Sequence, residues 1–152
     1  MENKCMNPNT NWHEKIKTPK LTVDAIVEYQ GKIILIKRKN PPHGWALPGG
    51  FVDDGESVEN AVARELKEET NVDLKDLKQF HVYSDPNRDP RFHTVSVVFT
   101  ATTDTAPKAG DDAKAVGLYT KLEVFELIQS EEICFDHGEV LNDYFRMLST
   151  AR

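Results

Sequence analysis

Residues 49–72, GGFVDDGESVENAVARELKEETNV, constrain the fold more than any other stretch. Val58, Val62 and Leu66 recur at helical spacing, with Ala61 at the edge of the stripe, which predicts a helix with one face on a core. Glu65 and Glu69 project from the middle of that apolar stripe, and Glu68 lies on its flank. Carboxylates at i, i+3 and i+4 repel one another, and burying each costs on the order of several kcal/mol unless positive charge stands nearby. A divalent cation is the simplest compensation; the alternative is a solvated acidic face laced with Arg64 and Lys67.

Local signals extend the reading in both directions. Ser57 is the expected N-cap of this helix, Thr70 its last residue, and Asn71 the left-handed residue that closes it. Upstream, Leu21 to Tyr29 and Lys32 to Lys37 read as strands of a hairpin joined at Gln30-Gly31, the second apolar enough to be buried on both faces. Arg38 to Gly44, with two prolines, is a basic loop, and Pro48-Gly49-Gly50 lets the backbone approach a ligand closely. Downstream, Leu77 to Tyr83, His93 to Ala101 and Val116 to Tyr119 read as strands, and Leu122 to Gln129 and Gly138 to Leu148 as helices. Strands, helix, strands, helix predict an α+β domain whose mixed sheet carries helices on both faces, and the hairpin excludes a purely parallel doubly wound sheet.

Residues 19–152 of the 152 are read as a single domain behind a polar tail, residues 1–18, that Trp12 could anchor. A net charge of −6 argues against general affinity for nucleic acid or an anionic membrane, so an anionic ligand would need metal or local arginines. Cys5 and Cys134 match no zinc spacing, and residues 1–15 lack the apolar core of a secretory leader, so a reducing, cytoplasmic setting is expected.

Gly50, Glu56, Arg64-Glu65-Leu66 and Glu68-Glu69 fall in the register of the Nudix hydrolase signature, and the chain resembles that family at every element except the last glycine, here Asn71. The resemblance implies the Nudix fold, a three-layer α/β/α sandwich, and metal-dependent hydrolysis of a diphosphate joined to a nucleoside. It implies Mg2+, with Mn2+ as a substitute, held by Glu65, Glu69 and Glu68 with the Gly49 carbonyl, while Glu56 assists and Arg64 orients a glutamate. A further acidic residue from a later loop is expected in the family, and Asp111 and Asp112 stand there, one to complete a metal site and one to act as base; a plain turn pair is the competing reading.

The segment RKNPPHGWALPGGFVDDGES and the loop SDPNRDPR are similar to the ADP-ribose pyrophosphatase branch, where Pro86 fits a marker proline. That branch implies a nucleotide-sugar substrate, ADP-ribose, cut to AMP and ribose 5-phosphate, and a homodimer. Arg38, Arg88 and Arg91 are expected phosphate contacts, against the alternative of surface ion pairs, and Trp45 or Phe92 could stack on adenine, against a place in the core. Two rivals stand beside this reading: a hydrolase of another nucleoside diphosphate derivative or oxidised nucleoside triphosphate, and a sensor that binds ADP-ribose without cutting it. The retained glutamates, and a length that leaves no room for a DNA-binding domain, speak against the sensor.

Overall fold

The computed structural model describes residues 16–110 and 113–151. The expectations for most of the tail, including Trp12 and Cys5, and for Asp111 and Asp112 lie outside the described residues. Strands β1 (Lys20–Tyr29), β2 (Lys32–Arg38), β3 (Trp45–Ala46) and β4 (Gly49–Phe51) lead into helix α1 (Val58–Thr70). Strands β5 (Lys75–Tyr83), β6 (Thr94–Thr102) and β7 (Ala113–Tyr119) follow, then helices α2 (Lys121–Gln129) and α3 (His137–Thr150).

The sheet runs β3-β2-β1-β6-β5, with β4 on β1 and β7 on β2. It is mixed: β1 and β6 pair in parallel from Lys20↔Thr94 to Glu28↔Thr102, while the other pairings are antiparallel. The β1–β2 hairpin turns through Gln30 (φ 50°) and Gly31 (φ 75°), the doubly left-handed turn whose twist matches that of strands.

Side chains alternate across β1 and divide the core in two. Val23, Ala25 and Val27 pack with Ile34 and Phe99 against Ala61, Val62 and Leu66 of α1. Ile26 packs with Ile33, Leu35 and Val98 against Val124 of α2 and Val140, Leu141 and Phe145 of α3. The result is the expected sandwich, helix on one face and two helices on the other. On the α3 side of β1 the same alternation places Asp24 and Glu28, where Glu28 accepts a hydrogen bond from the Tyr144 hydroxyl at 2.8 Å.

Helix α1 ends as its residues dictate. The Ser57 hydroxyl accepts from the Asn60 amide at 3.1 Å, and Asn71 closes the helix at φ 59°. The side-chain amide of Asn71 also donates to the Lys108 carbonyl, while the Lys108 and Gly110 amides donate to the carbonyls of Thr70 and Glu69. Three bonds thus tie the loop before β7 to carbonyls that a helix C-terminus leaves unpaired or to the cap itself.

Candidate active site

A cleft of about 380 Å³ opens between α1, the β1–β6 ladder and the start of α3. Its α1 wall is built around glycines. β4 pairs with β1 so that Gly49 lies opposite Asp24, and a Cβ on Gly49 would stand 2.1 Å from the Val23 carbonyl oxygen. A Cβ on Gly50 would stand 2.5 Å from the carboxyl carbon of Glu65. Glycine at 49 lets β4 lie tightly on β1 and glycine at 50 leaves room for the Glu65 carboxylate, so the two carboxylates of the apolar stripe meet the β4 backbone.

The helix carboxylates are divided between two positive partners. The Gly49 amide donates to Glu69 Oε2 at 3.0 Å, and Glu69 is buried. Arg64 collects the others: its guanidinium donates to Glu56 at 2.7 and 2.9 Å, to Glu65 at 3.0 Å and to Glu68 at 3.2 Å, and to the Phe51 carbonyl at 3.1 Å. The Arg64 bonds, with the Asp53 amide, hold the Glu56 carboxyl down at about 2, and Glu56 in turn raises the Arg64 value. The long stem of Arg64 brings its guanidinium over Glu65 and Glu68. Among the described residues no three His, Cys, Asp or Glu side chains are grouped so that they could hold a metal ion. The donors are nonetheless carboxylate oxygens of one helix beside the Gly49-Gly50 backbone, the hard ligand type that suits Mg2+ or Mn2+.

The floor of the cleft is polar and buried, and local sequence signals did not reveal it. Asp24 accepts a hydrogen bond from the Ser96 hydroxyl and faces Nε2 of His137 at 3.7 Å. Burial pushes the Asp24 carboxyl up, but the imidazole and the Ser96 hydroxyl bring it below the usual value. His137 Nδ1 accepts from the Leu47 amide at 3.0 Å, which places the imidazole proton of the neutral ring on Nε2, toward Asp24. The signal that could have found this cluster is a lone aspartate inside the apolar strand LTVDAIV, which burial obliges to find partners.

The substrate-side expectations divide. Arg38 and Arg91 line the cleft; burial and the neighbouring Arg91 charge lower the Arg38 value, as two cations facing one cavity must. Arg91 is braced by Asp89 through bonds of 3.0 and 2.8 Å. Arg88 also lines the cleft, but its guanidinium is engaged by Asp136 at 2.9 and 2.7 Å and by Thr94 at 2.7 Å, with the side chain only 3% exposed. It braces the floor instead of offering a phosphate fork. Trp45 is not brought to the cleft: its ring packs edge-on to Tyr119 at 5.1 Å, because β3 points it toward the α2 side. Pro86 is exposed in the loop before β6 and does not line the cleft. Phe92 stacks on Phe51 at the cleft mouth, centroids 6.1 Å apart.

Known proteins resemble this chain in sequence and fold. An ADP-ribose pyrophosphatase of Methanocaldococcus jannaschii is 47% identical over 131 residues, 84% of this chain and 74% of that protein. The NUDIX domain of Shewanella oneidensis NrtR, solved in complex with ADP ribose, superposes with a TM-score of 0.79 at 28% identity, covering 95% of this chain and 94% of that one. A bifunctional NMN adenylyltransferase/ADP ribose pyrophosphatase of Francisella tularensis, solved with AMP and a manganese ion, gives a TM-score of 0.76 at 29% identity, covering 90% of this chain and 44% of that one. The NUDIX domain pattern matches residues 18–144, from the strand that floors the cleft to the helix that closes it, and the chain belongs to that family.

Proposed function

We propose that the chain hydrolyses the diphosphate of ADP-ribose, giving AMP and ribose 5-phosphate. The observation that carries the reading is the cleft itself: the α1 carboxylates and the Gly49-Gly50 backbone face Arg38 and Arg91 across one cavity, acid for cations on one side and cations for phosphate on the other. The 47% identity to an ADP-ribose pyrophosphatase supports this choice of substrate.

In this reading Glu65, Glu69 and Glu68, with the Gly49 carbonyl, hold Mg2+, and Asp111 completes the site. A metal held there would supply charge neutralisation at the diphosphate and a more acidic water as nucleophile. Arg64 keeps Glu56 ionised and orients Glu65 and Glu68, and Asp112 is the proposed base. Arg38 and Arg91 draw the diphosphate in, relieving their mutual repulsion. A manganese ion with AMP in the Francisella neighbour supports a divalent metal of this kind. The edge strand β5, with Val82 nearly half exposed, supports a homodimer, and the buried free thiol of Cys134 suits a reducing cytoplasm. Among the described residues no helix is long and apolar enough to cross a membrane.

The complex of the Shewanella domain with ADP ribose favours one alternative, a domain that binds ADP-ribose as a signal. A side-by-side assay of ADP-ribose, oxidised nucleoside triphosphates and dinucleoside polyphosphates, with and without Mg2+, separates the readings. Metal-dependent release of AMP is expected from ADP-ribose first. Tight binding without turnover identifies the sensor, and preference for another compound ends the substrate assignment.

A further inference from the structure

The stretch that carries Gly49 is strung between two helices. Of Leu47-Pro48-Gly49, proline has no N–H, and a side chain takes each of the other two amides: Leu47 donates to Nδ1 of His137 at 3.0 Å and Gly49 to Oε2 of Glu69 at 3.0 Å. His137 begins α3 and Glu69 lies near the end of α1, so the two acceptors come from opposite faces of the sheet. Between them the Pro48 carbonyl accepts from the Ala25 amide at 3.0 Å. The alternation of an antiparallel ladder then leaves Gly49, opposite Asp24, at a position whose amide and carbonyl turn away from β1.

His137 is itself fixed from several directions. The run before α3 follows the run before Gly49: the Trp45 amide donates to the Glu132 carbonyl and the Cys134 amide to the Trp45 carbonyl, both at 2.8 Å. At the helix start Asp136 makes no side-chain cap, because both its carboxylate oxygens go to Arg88. The imidazole is buried, with Asp24 beside its other nitrogen. Ladder bonds hold Trp45 and Pro48, and the imidazole bond holds the peptide between them.

We infer that His137 is a positioning residue for the metal site: by holding the Leu47 amide from the α3 side it fixes where the Gly49 backbone stands against Glu69. The inference rests on the reading of Gly49 and Glu69 as metal ligands and adds a residue that acts on them through the backbone. A shift at Leu47 reaches Gly49 across one proline, whose locked φ leaves little to absorb it. The acceptor matters more than the ring. Asparagine sets its Oδ1 at the depth of imidazole Nδ1, whereas glutamine carries its amide one bond further, at the depth of Nε2.

The test compares wild type, His137→Asn, His137→Gln and Tyr144→Phe, which removes the hydrogen bond to Glu28 from the same helix. Hydrogen exchange of the Leu47 and Gly49 amides is followed by NMR in metal-free protein, and Mn2+ affinity by electron paramagnetic resonance. In His137→Gln, protection of both amides is expected to fall about fivefold or more and Mn2+ affinity about tenfold or more, the loss typical of a group that orients a ligand. His137→Asn should stay within about threefold of wild type in both readouts, and Tyr144→Phe should lose stability while holding Mn2+ affinity within about twofold. An affinity in His137→Gln within about twofold of wild type overturns the inference, as does an equal loss in Tyr144→Phe, which reports a loosened α3. If His137→Gln does not fold, His137→Asn decides: retained protection and affinity support the inference, and a loss of about tenfold in either overturns it. If wild type binds no Mn2+, the metal reading falls, while exchange of the Gly49 amide still decides whether His137 positions it.

Discussion

The rim and the floor of the cleft each gather acidic side chains around an arginine, and they do so in opposite ways. At the rim, Arg64 is 29% exposed and takes Glu56, Glu65 and Glu68, all within eight positions along the chain. At the floor, Arg88 is 3% exposed and takes Asp136, 48 positions away, together with Thr94. The rim arginine is shared among several carboxylates and is more exposed than the floor arginine, so its partners exchange more readily and remain available to a cation. A buried bidentate pair cannot be broken without stranding a charge, so it holds its place. The cleft combines a rim that can rearrange with a floor that cannot.

This contrast predicts where mutation costs activity and where it costs stability. Glu69→Gln keeps an acceptor for the Gly49 amide but removes a charge proposed to hold metal. Turnover is expected to fall on the order of 10³-fold, with an unchanged melting curve; near-normal turnover would remove Glu69 from the metal site. Arg88→Met should destabilise the fold by about 3 kcal/mol in urea unfolding, because Asp136, only 13% exposed, loses its guanidinium partner, and the double variant Arg88→Met/Asp136→Leu should recover much of that loss. A cost under about 1 kcal/mol for the single variant would make floor and rim alike.

Smaller effects sharpen the distinction. Arg64→Lys should cost less than about 1 kcal/mol of stability but about 10–100-fold in turnover, since a point charge cannot gather three carboxylates as a planar fork does. A stability loss as large as that of Arg88→Met would contradict it. The least effect is in pH dependence. Glu56 is held at about 2, below its ordinary 4.5, so its contribution to stability is full above about pH 4.5 and is lost as pH falls toward 2. The stability difference between wild type and Glu56→Gln should therefore stay constant from pH 8 to about 4.5 and shrink below that. A difference that changes between pH 6 and 8 would show another group titrating in the cluster.

Legibility in the sequence follows the same division. Ser57 and Asn71 bound α1 because capping depends on a few adjacent residues, and Gln30-Gly31 turns the hairpin for the same reason. The acidic wall was visible because helical spacing alone sets Glu65 and Glu69 among Val62 and Leu66. The partner of Arg88 was not legible because Asp85 and Asp89 offer local ion pairs, whereas Asp136 comes from the start of α3. Trp45 left two readings open, stacking or core, because its ring orientation depends on Tyr119 across the sheet. Asp24 and His137 lie 113 positions apart, and no local rule joins them. What spacing encodes was readable; what parallel pairing and helix docking bring together was not.

The parallel ladder of β1 and β6 also sets an order of assembly. Asp24 and Ser96, 72 positions apart, become neighbours only when that ladder closes, and closing a loop of such length carries an entropic cost that local hairpins and helices escape. A nascent chain that ends before β6 already contains Glu56, Glu65, Glu68 and Glu69 and can form α1, but lacks the β6 half of the cleft floor. Catalytic competence therefore waits on the pairing of the first strand with β6.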